Sequence, residues 1–191
     1  GKNVISSKGA LHYLTIEEIK NSRDYLQNKT NTKKDILTLI LGGPTKYYNY
    51  STQNIKTVFS KIKNLTEKNN LHLVVIPSNR TPIETVSLAK SELINDATII
   101  ETVDKKAYLS ALSIAKYIVV TCDSSSMISE AALTGKPIYV ANILPRKNDK
   151  RFQEFRNLFR ELNIIRNLGE EEENWSYKKL DETNRVANII K

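Results

Sequence analysis

The run Thr121-Cys122-Asp123-Ser124-Ser125-Ser126-Met127-Ile128-Ser129-Glu130 carries the densest chemistry in the chain. It follows the apolar stretch Tyr117 to Val120 and leads into a helix-spaced segment, Ser124 to Thr134, closed by Gly135 with Pro137 just beyond. Hydroxyls and small side chains at a strand-to-helix turn suit an anion. The first-turn amides have no intrahelical partner, and the helix dipole adds positive potential there. Glu130 falls one turn beyond Ser126 on the same face, placed to accept bonds from paired ribose hydroxyls. The same residues equally suit plain N-capping by Asp123 or Ser124, with Glu130 on a solvent face. Spacing alone leaves both readings open.

Three further features end apolar runs. Gly42-Gly43-Pro44-Thr45 follows Ile36 to Leu41, Ser78-Asn79-Arg80-Thr81 follows Leu71 to Ile76, and Asn142 follows Pro137 to Val140. In a parallel sheet all of these lie beyond the carboxyl ends of the strands, where ligands bind. Gly42 and Gly43 permit a tight turn and close backbone approach to a ligand. Arg80 is either a phosphate or base contact or an ordinary surface arginine. Tyr47, Tyr48 and Tyr50 either stack on a base or pack. The chain has neither GxGxxG nor GxxxxGK[ST], so no dinucleotide cofactor or P-loop is expected. No zinc spacing, nucleophile elbow or pair of catalytic carboxylates is present, and no metal site is expected. His72, inside an apolar run, reads as a core histidine. Cys122 has no partner histidine in view to make it a nucleophile.

These residues need a scaffold, and the apolar pattern supplies one. Runs of four to six apolar residues without alternation, at 36–41, 71–76, 97–100, 117–120 and 137–140, read as strands buried on both faces. Between them, Ile55, Val58, Phe59, Ile62 and Leu65 mark one helix. Val86 to Leu93, Ala107 to Ala115, Phe152 to Leu162 and Asp181 to Ile190 mark others. The alternation predicts an α/β fold, a Rossmann-like parallel sheet flanked by helices. Residues 1–34 read as an N-terminal helical arm or linker, with a capping box at Thr15 and Glu18. Residues 35–191 read as the compact domain. The acidic run Glu170 to Glu173 reads as a solvated loop.

Composition bounds the rest. The 191 residues are 40% hydrophobic and 26% charged, values of a globular chain rather than a disordered or fibrous one. No apolar run approaches the roughly 20 residues of a membrane span. One cysteine excludes an internal disulfide. The segment 1–10 lacks a signal-peptide apolar core, and Met127 is the only methionine. The expectation is a piece of a longer protein in a reducing, cytoplasmic setting, with peripheral attachment to the inner face of a membrane left open. The net charge of +8 points to anionic partners. Lysines outnumber arginines 21 to 8, however, which an AT-rich genome also produces. No nucleic-acid partner is expected.

Taken in order, Gly42-Gly43-Pro44, Ser78-Asn79-Arg80-Thr81-Pro82, Val120 to Ala132 and Thr134-Gly135-Lys136-Pro137 resemble the mitochondrial fission Elm-type family. Asn3-Val4-Ile5, Gly9-Ala10-Leu11-His12 and Asp181 to Ala187 match its pattern too, so the resemblance spans essentially the whole chain. That family looks like the GT-B glycosyltransferases, and this chain resembles their C-terminal, donor-binding domain. The resemblance implies a nucleotide-diphosphate sugar, UDP- or GDP-type, as ligand, and a separate N-terminal domain as partner. It implies Gly43 near the diphosphate, Arg80 near phosphate or base, the backbone amides of Ser124, Ser125 and Ser126 on phosphate and Glu130 on the ribose, with Gly42, Asp123 and Met127 also among the nucleotide-sugar-binding residues. Cys122 and Asn79 depart from the acidic residue and the arginine common at those places. The activity implied is metal-independent glycosyl transfer, which this chain alone would not complete. A non-catalytic adaptor and a sugar-nucleotide epimerase are the alternatives.

Overall fold

The computed structural model describes residues 4–93, 97–170 and 174–190. Six strands form one sheet: β1 (Ile36–Leu41), β2 (His72–Pro77), β3 (Ala97–Ile99), β4 (Ala115–Thr121), β5 (Ile138–Ala141) and β6 (Ile165–Asn167). Their order is β3-β2-β1-β4-β5-β6, and every pair is parallel. The central strands β1 and β2 are buried along their whole length, which explains their unbroken apolar runs. Leu39 pairs with both Val75 and Val119 in the middle of the sheet.

The helices are α1 (Ile16–Asn21), α2 (Asp24–Thr30), α3 (Thr52–Lys68), α4 (Ile83–Glu92), α5 (Lys105–Ile114), α6 (Ser125–Ala132), α7 (Lys150–Glu161) and α8 (Glu182–Ile190). Helix α3 starts where the Ser51 hydroxyl accepts from the Asn54 amide, and it buries Ile55, Val58, Phe59, Ile62 and Leu65. Each such side chain contributes about 2 kcal/mol on removal from water. Strands step one way from β1 to β3 and the other way from β4 to β6. Right-handed crossovers therefore put α3 and α4 on one face and α5 and α6 on the other.

Helices α1 and α2 close over α5. Leu26 is fully buried, its amide donates to the Ser110 hydroxyl at 3.0 Å, and that hydroxyl donates to the Arg23 carbonyl. The Thr15–Glu18 capping box starts α1. The Ile36–Leu41 strand matches the sequence expectation, while the strands expected at 71–76 and 137–140 begin and end one residue later. Strand β4 starts at Ala115, two residues before the expected run. Strand β6 is not foreseen by the apolar pattern, because its three residues include Arg166 and Asn167 and only Ile165 is buried. Of the acidic run, residues 171–173 lie outside the described residues.

Candidate functional site

The carboxyl ends of β1, β2 and β4 meet at one buried carboxylate. Asp123 is 3% exposed, and its oxygens accept from the Gly43 amide at 3.1 Å, the Tyr50 hydroxyl at 2.6 Å and the Arg80 guanidinium at 2.8 Å. Arg80 also donates to the Gly43 carbonyl, and Thr121 accepts from the Gly42 amide. Asp123, Gly42, Gly43 and Arg80 thus come together as expected, but largely to bind one another. A Cβ on Gly42 would stand 2.1 Å from the Asp123 carboxylate, and one on Gly43 would stand 1.9 Å from the Arg80 carbonyl. The close approach these glycines permit is therefore to chain, where the sequence suggested a ligand. Burial, with the negative charge and hydrogen bond of Asp123, raises the Tyr50 pKa, so this phenol stays protonated as a donor.

Helix α6 begins beside this cluster. The Ser124 hydroxyl accepts from the Met127 amide, so Ser124 is its N-cap. The amides of Ser125 and Ser126 remain in the first turn, where no helix carbonyl precedes them. Glu130 accepts a short hydrogen bond from the Tyr108 hydroxyl of α5. Burial, then the Glu130 charge, raises the Tyr108 pKa well above that of a free phenol. Sequence reasoning missed Tyr108. The helical spacing of 107–115 counts it as one apolar residue among many, and its pairing depends on how α5 lies against α6.

Two cavities flank the start of α6. One, of 230 Å³, is walled by Pro77, Asn79, Val103, Tyr108, Met127 and Glu130. It combines an apolar wall with a carboxylate and a strand-end loop, the mixture expected of a small-ligand site. The other, of 390 Å³, lies between the segment 7–10 and α7 and is lined by Lys8, Ser125, Arg151 and Phe152. A larger cleft of 570 Å³ between α3 and α7 includes, of the strand-end residues singled out by the sequence, Asn142 alone. Size alone does not make it the site, because the first-turn amides of α6 and Glu130 lie elsewhere.

The remaining candidates pack. Tyr48 is 1% exposed and donates to Asp149 at 2.5 Å, while Arg156 bonds Tyr48 and Asp149 at 2.9 and 3.1 Å. Burial opposes ionisation of Asp149, but the bonds from Tyr48 and Arg156 win and hold its pKa below the ordinary carboxylate value. Burial pushes the Cys122 thiol up to about 11, with the Ile143 amide donating to its sulfur. His72 is a core residue whose Nε2 lies 2.8 Å from the Thr98 hydroxyl. Among the described residues no group of three or more His, Cys, Asp or Glu side chains could hold a metal ion. No described helix is long and apolar enough to cross a membrane.

Comparison with solved structures agrees with this architecture. The chain is similar to S. aureus MnaA in its UDP co-structure, with a TM-score of 0.56 at 13% identity, covering 96% of this chain and 41% of that one. It is also similar to the Neisseria meningitidis UDP-GlcNAc 2-epimerase bound to UDP-GlcNAc, with a TM-score of 0.50 at 14% identity, covering 90% and 39%. The likeness is one of fold: a six-stranded parallel sheet flanked by helices, as in the matched part of that epimerase. Among sequences, an uncharacterized protein of Rickettsia prowazekii is 33% identical over 197 residues, 98% of this chain and 54% of its own length. The Arabidopsis thaliana mitochondrial fission protein ELM1 is 26% identical over 195 residues, 99% of this chain and 45% of its own. The chain thus spans about half the length of the curated relatives it matches. The family description Mitochondrial fission ELM1 fits residues 1–191, end to end, and the SSSMISEAALTGKP block that shapes the α6 turn belongs to a chain of the mitochondrial fission ELM1 family.

Proposed function

We propose that this chain binds a nucleotide-diphosphate sugar, UDP- or GDP-type, as the donor half of a glycosyltransferase-like protein. In this reading residues 35–191 form the binding unit, residues 1–34 are the arm, and an N-terminal domain completes the reaction site. The observation that carries it is the 230 Å³ cavity beside α6, where Glu130 and Tyr108 sit within one helix of the Ser125 and Ser126 amides. Base and ribose enter that cavity, with Glu130 taking the ribose hydroxyls. The diphosphate lies over the first turn of α6, and the exposed part of Arg80 faces its charge. Fixed donors of this kind stabilise a departing diphosphate without a metal. The 2-epimerases among the structural neighbours support the fold, and their chemistry is the alternative enzymatic reading.

A thermal-shift panel of UDP, GDP, ADP and CMP tests the reading. Ligand at a hundred times its dissociation constant stabilises the native state by about 2.7 kcal/mol. A base-selective shift that Glu130→Ala abolishes is expected. No shift at millimolar ligand, repeated on the full-length protein, overturns it. The second reading is a non-catalytic adaptor, favoured by one observation: Arg80 and Asp123 are already engaged with each other. Peripheral attachment to a cytoplasmic membrane face belongs to either reading.

A further inference from the structure

The loop between β5 and α7 carries a surface that the nucleotide reading leaves unused. With the first two residues of α7 it exposes Leu144, Arg146, Lys147, Lys150 and Arg151, with Leu144 79% exposed. Five of the eight arginines in the chain fall between residues 146 and 166. Two of these, Arg146 and Arg151, are exposed on this surface, while Arg156 is buried in the bonds to Tyr48 and Asp149. Asp149 is the one acid between residues 131 and 153. It is buried beneath Tyr48, Gln153 and Arg156, so its charge does not reach solvent. The nearest exposed acid, Glu154, sits 3.8 Å from Lys150. Lys46, over the Tyr47 ring, extends the basic rim from the neighbouring loop.

The loop is held in place. The Arg146 amide donates to the Tyr47 carbonyl at 2.6 Å, Pro145 bridges Tyr48, and the Ile143 amide donates to the Cys122 sulfur. Ile143 is thereby buried while its neighbour Leu144 is held outward. A fixed leucine inside a basic loop whose single acid is buried matches a surface that is anionic at its face and apolar just beneath. A nucleic acid would engage the cations but give Leu144 no role.

We propose that the Leu144–Arg151 loop docks the protein on an anionic lipid surface. Leu144 enters the headgroup layer while Arg146, Lys147, Lys150 and Arg151 meet lipid phosphates. This gives the peripheral attachment proposed above a defined surface, and it does not depend on nucleotide binding.

Co-sedimentation with phosphatidylcholine vesicles, with and without phosphatidylglycerol, tests it at about 0.1 M salt. Binding to the anionic vesicles only is expected. Reversing Arg146→Glu with Lys147→Glu should weaken it roughly tenfold or more, and Leu144→Ser several-fold. The control pair Lys20→Glu with Lys33→Glu, which makes the same change in net charge outside the loop, should leave binding unchanged. Circular dichroism confirms that each variant is folded. Absence of binding by the folded wild-type protein overturns the proposal. So does equal loss in the control pair, which would mean net charge alone drives binding. An unchanged Leu144→Ser variant, with single-stranded RNA displacing the protein from vesicles, would reassign the loop to nucleic acid. A blank nucleotide panel leaves these outcomes untouched, so the two proposals fail separately.

Discussion

The Arg80 guanidinium lies 2.8 Å from the Asp123 carboxylate, with the acid wholly buried and the arginine 42% exposed. The pair locks the β2–α4 loop onto the start of α6, so the loop is positioned from inside the fold. Removing the acid strands a partly buried cation and also frees the Gly43 amide and Tyr50 hydroxyl. Asp123→Ala should therefore cost about 3–5 kcal/mol. Arg80→Ala should cost less, about 1–3 kcal/mol, because the buried carboxylate keeps its bonds from the Gly43 amide and the Tyr50 hydroxyl. Urea unfolding of both variants checks the order, and an equal loss would contradict this account.

Gly42→Ala and Gly43→Ala test the close approaches. Each added Cβ would overlap a fixed group, the Asp123 carboxylate or the Arg80 carbonyl. Overpacking of this kind costs about 1–3 kcal/mol or more, which for a chain of this size lowers Tm by roughly 5–10 °C. Differential scanning calorimetry reads it directly. Gly43→Ala should be the worse of the two, since it meets backbone while Gly42→Ala meets a side chain.

Asp149→Asn should show a pH signature. The folded pKa of Asp149 is depressed, so its stabilisation is present above the unfolded value near 3.8 and is lost as pH falls through the folded value. The variant leaves Arg156 buried without its counter-charge, at a cost of about 3–5 kcal/mol at neutral pH. Chemical denaturation from pH 7 down to about 2.5 should show the gap between variant and wild type closing below the ordinary carboxylate pKa. A gap that stays constant would place the effect in packing rather than charge.

Cys122 should resist thiol reagents in the native protein. Burial drives its pKa up to about 11, so little thiolate exists near neutrality and reagent cannot reach the sulfur. Labelling with a disulfide reagent at pH 8 should proceed at the rate of unfolding and become immediate in denaturant. Fast native labelling would mean that the loop after β5 opens readily, a motion that would also release Leu144.

What the sequence determined by itself is the α/β layering. Apolar runs such as Ile36 to Leu41 are long enough, and free enough of polar residues, that only a strand covered on both faces accommodates them. The same logic made the serine run before Glu130 legible as a strand-to-helix turn, because Gly135, with φ of +76°, and Pro137 end the following helix by local geometry. Tertiary structure decided whatever depends on partners distant in the chain. Strand β6 exists because β5 offers it an edge, not because Ile165–Asn167 is itself strand-like. Tyr48 and Tyr50, which spacing left between stacking and packing, became core donors to Asp149 and Asp123, residues 101 and 73 positions away. Tyr108 acquired Glu130 only when α5 and α6 came to share a face of the sheet. Local periodicity is written residue by residue along the chain, whereas a buried charge takes whichever donor the packing brings within reach.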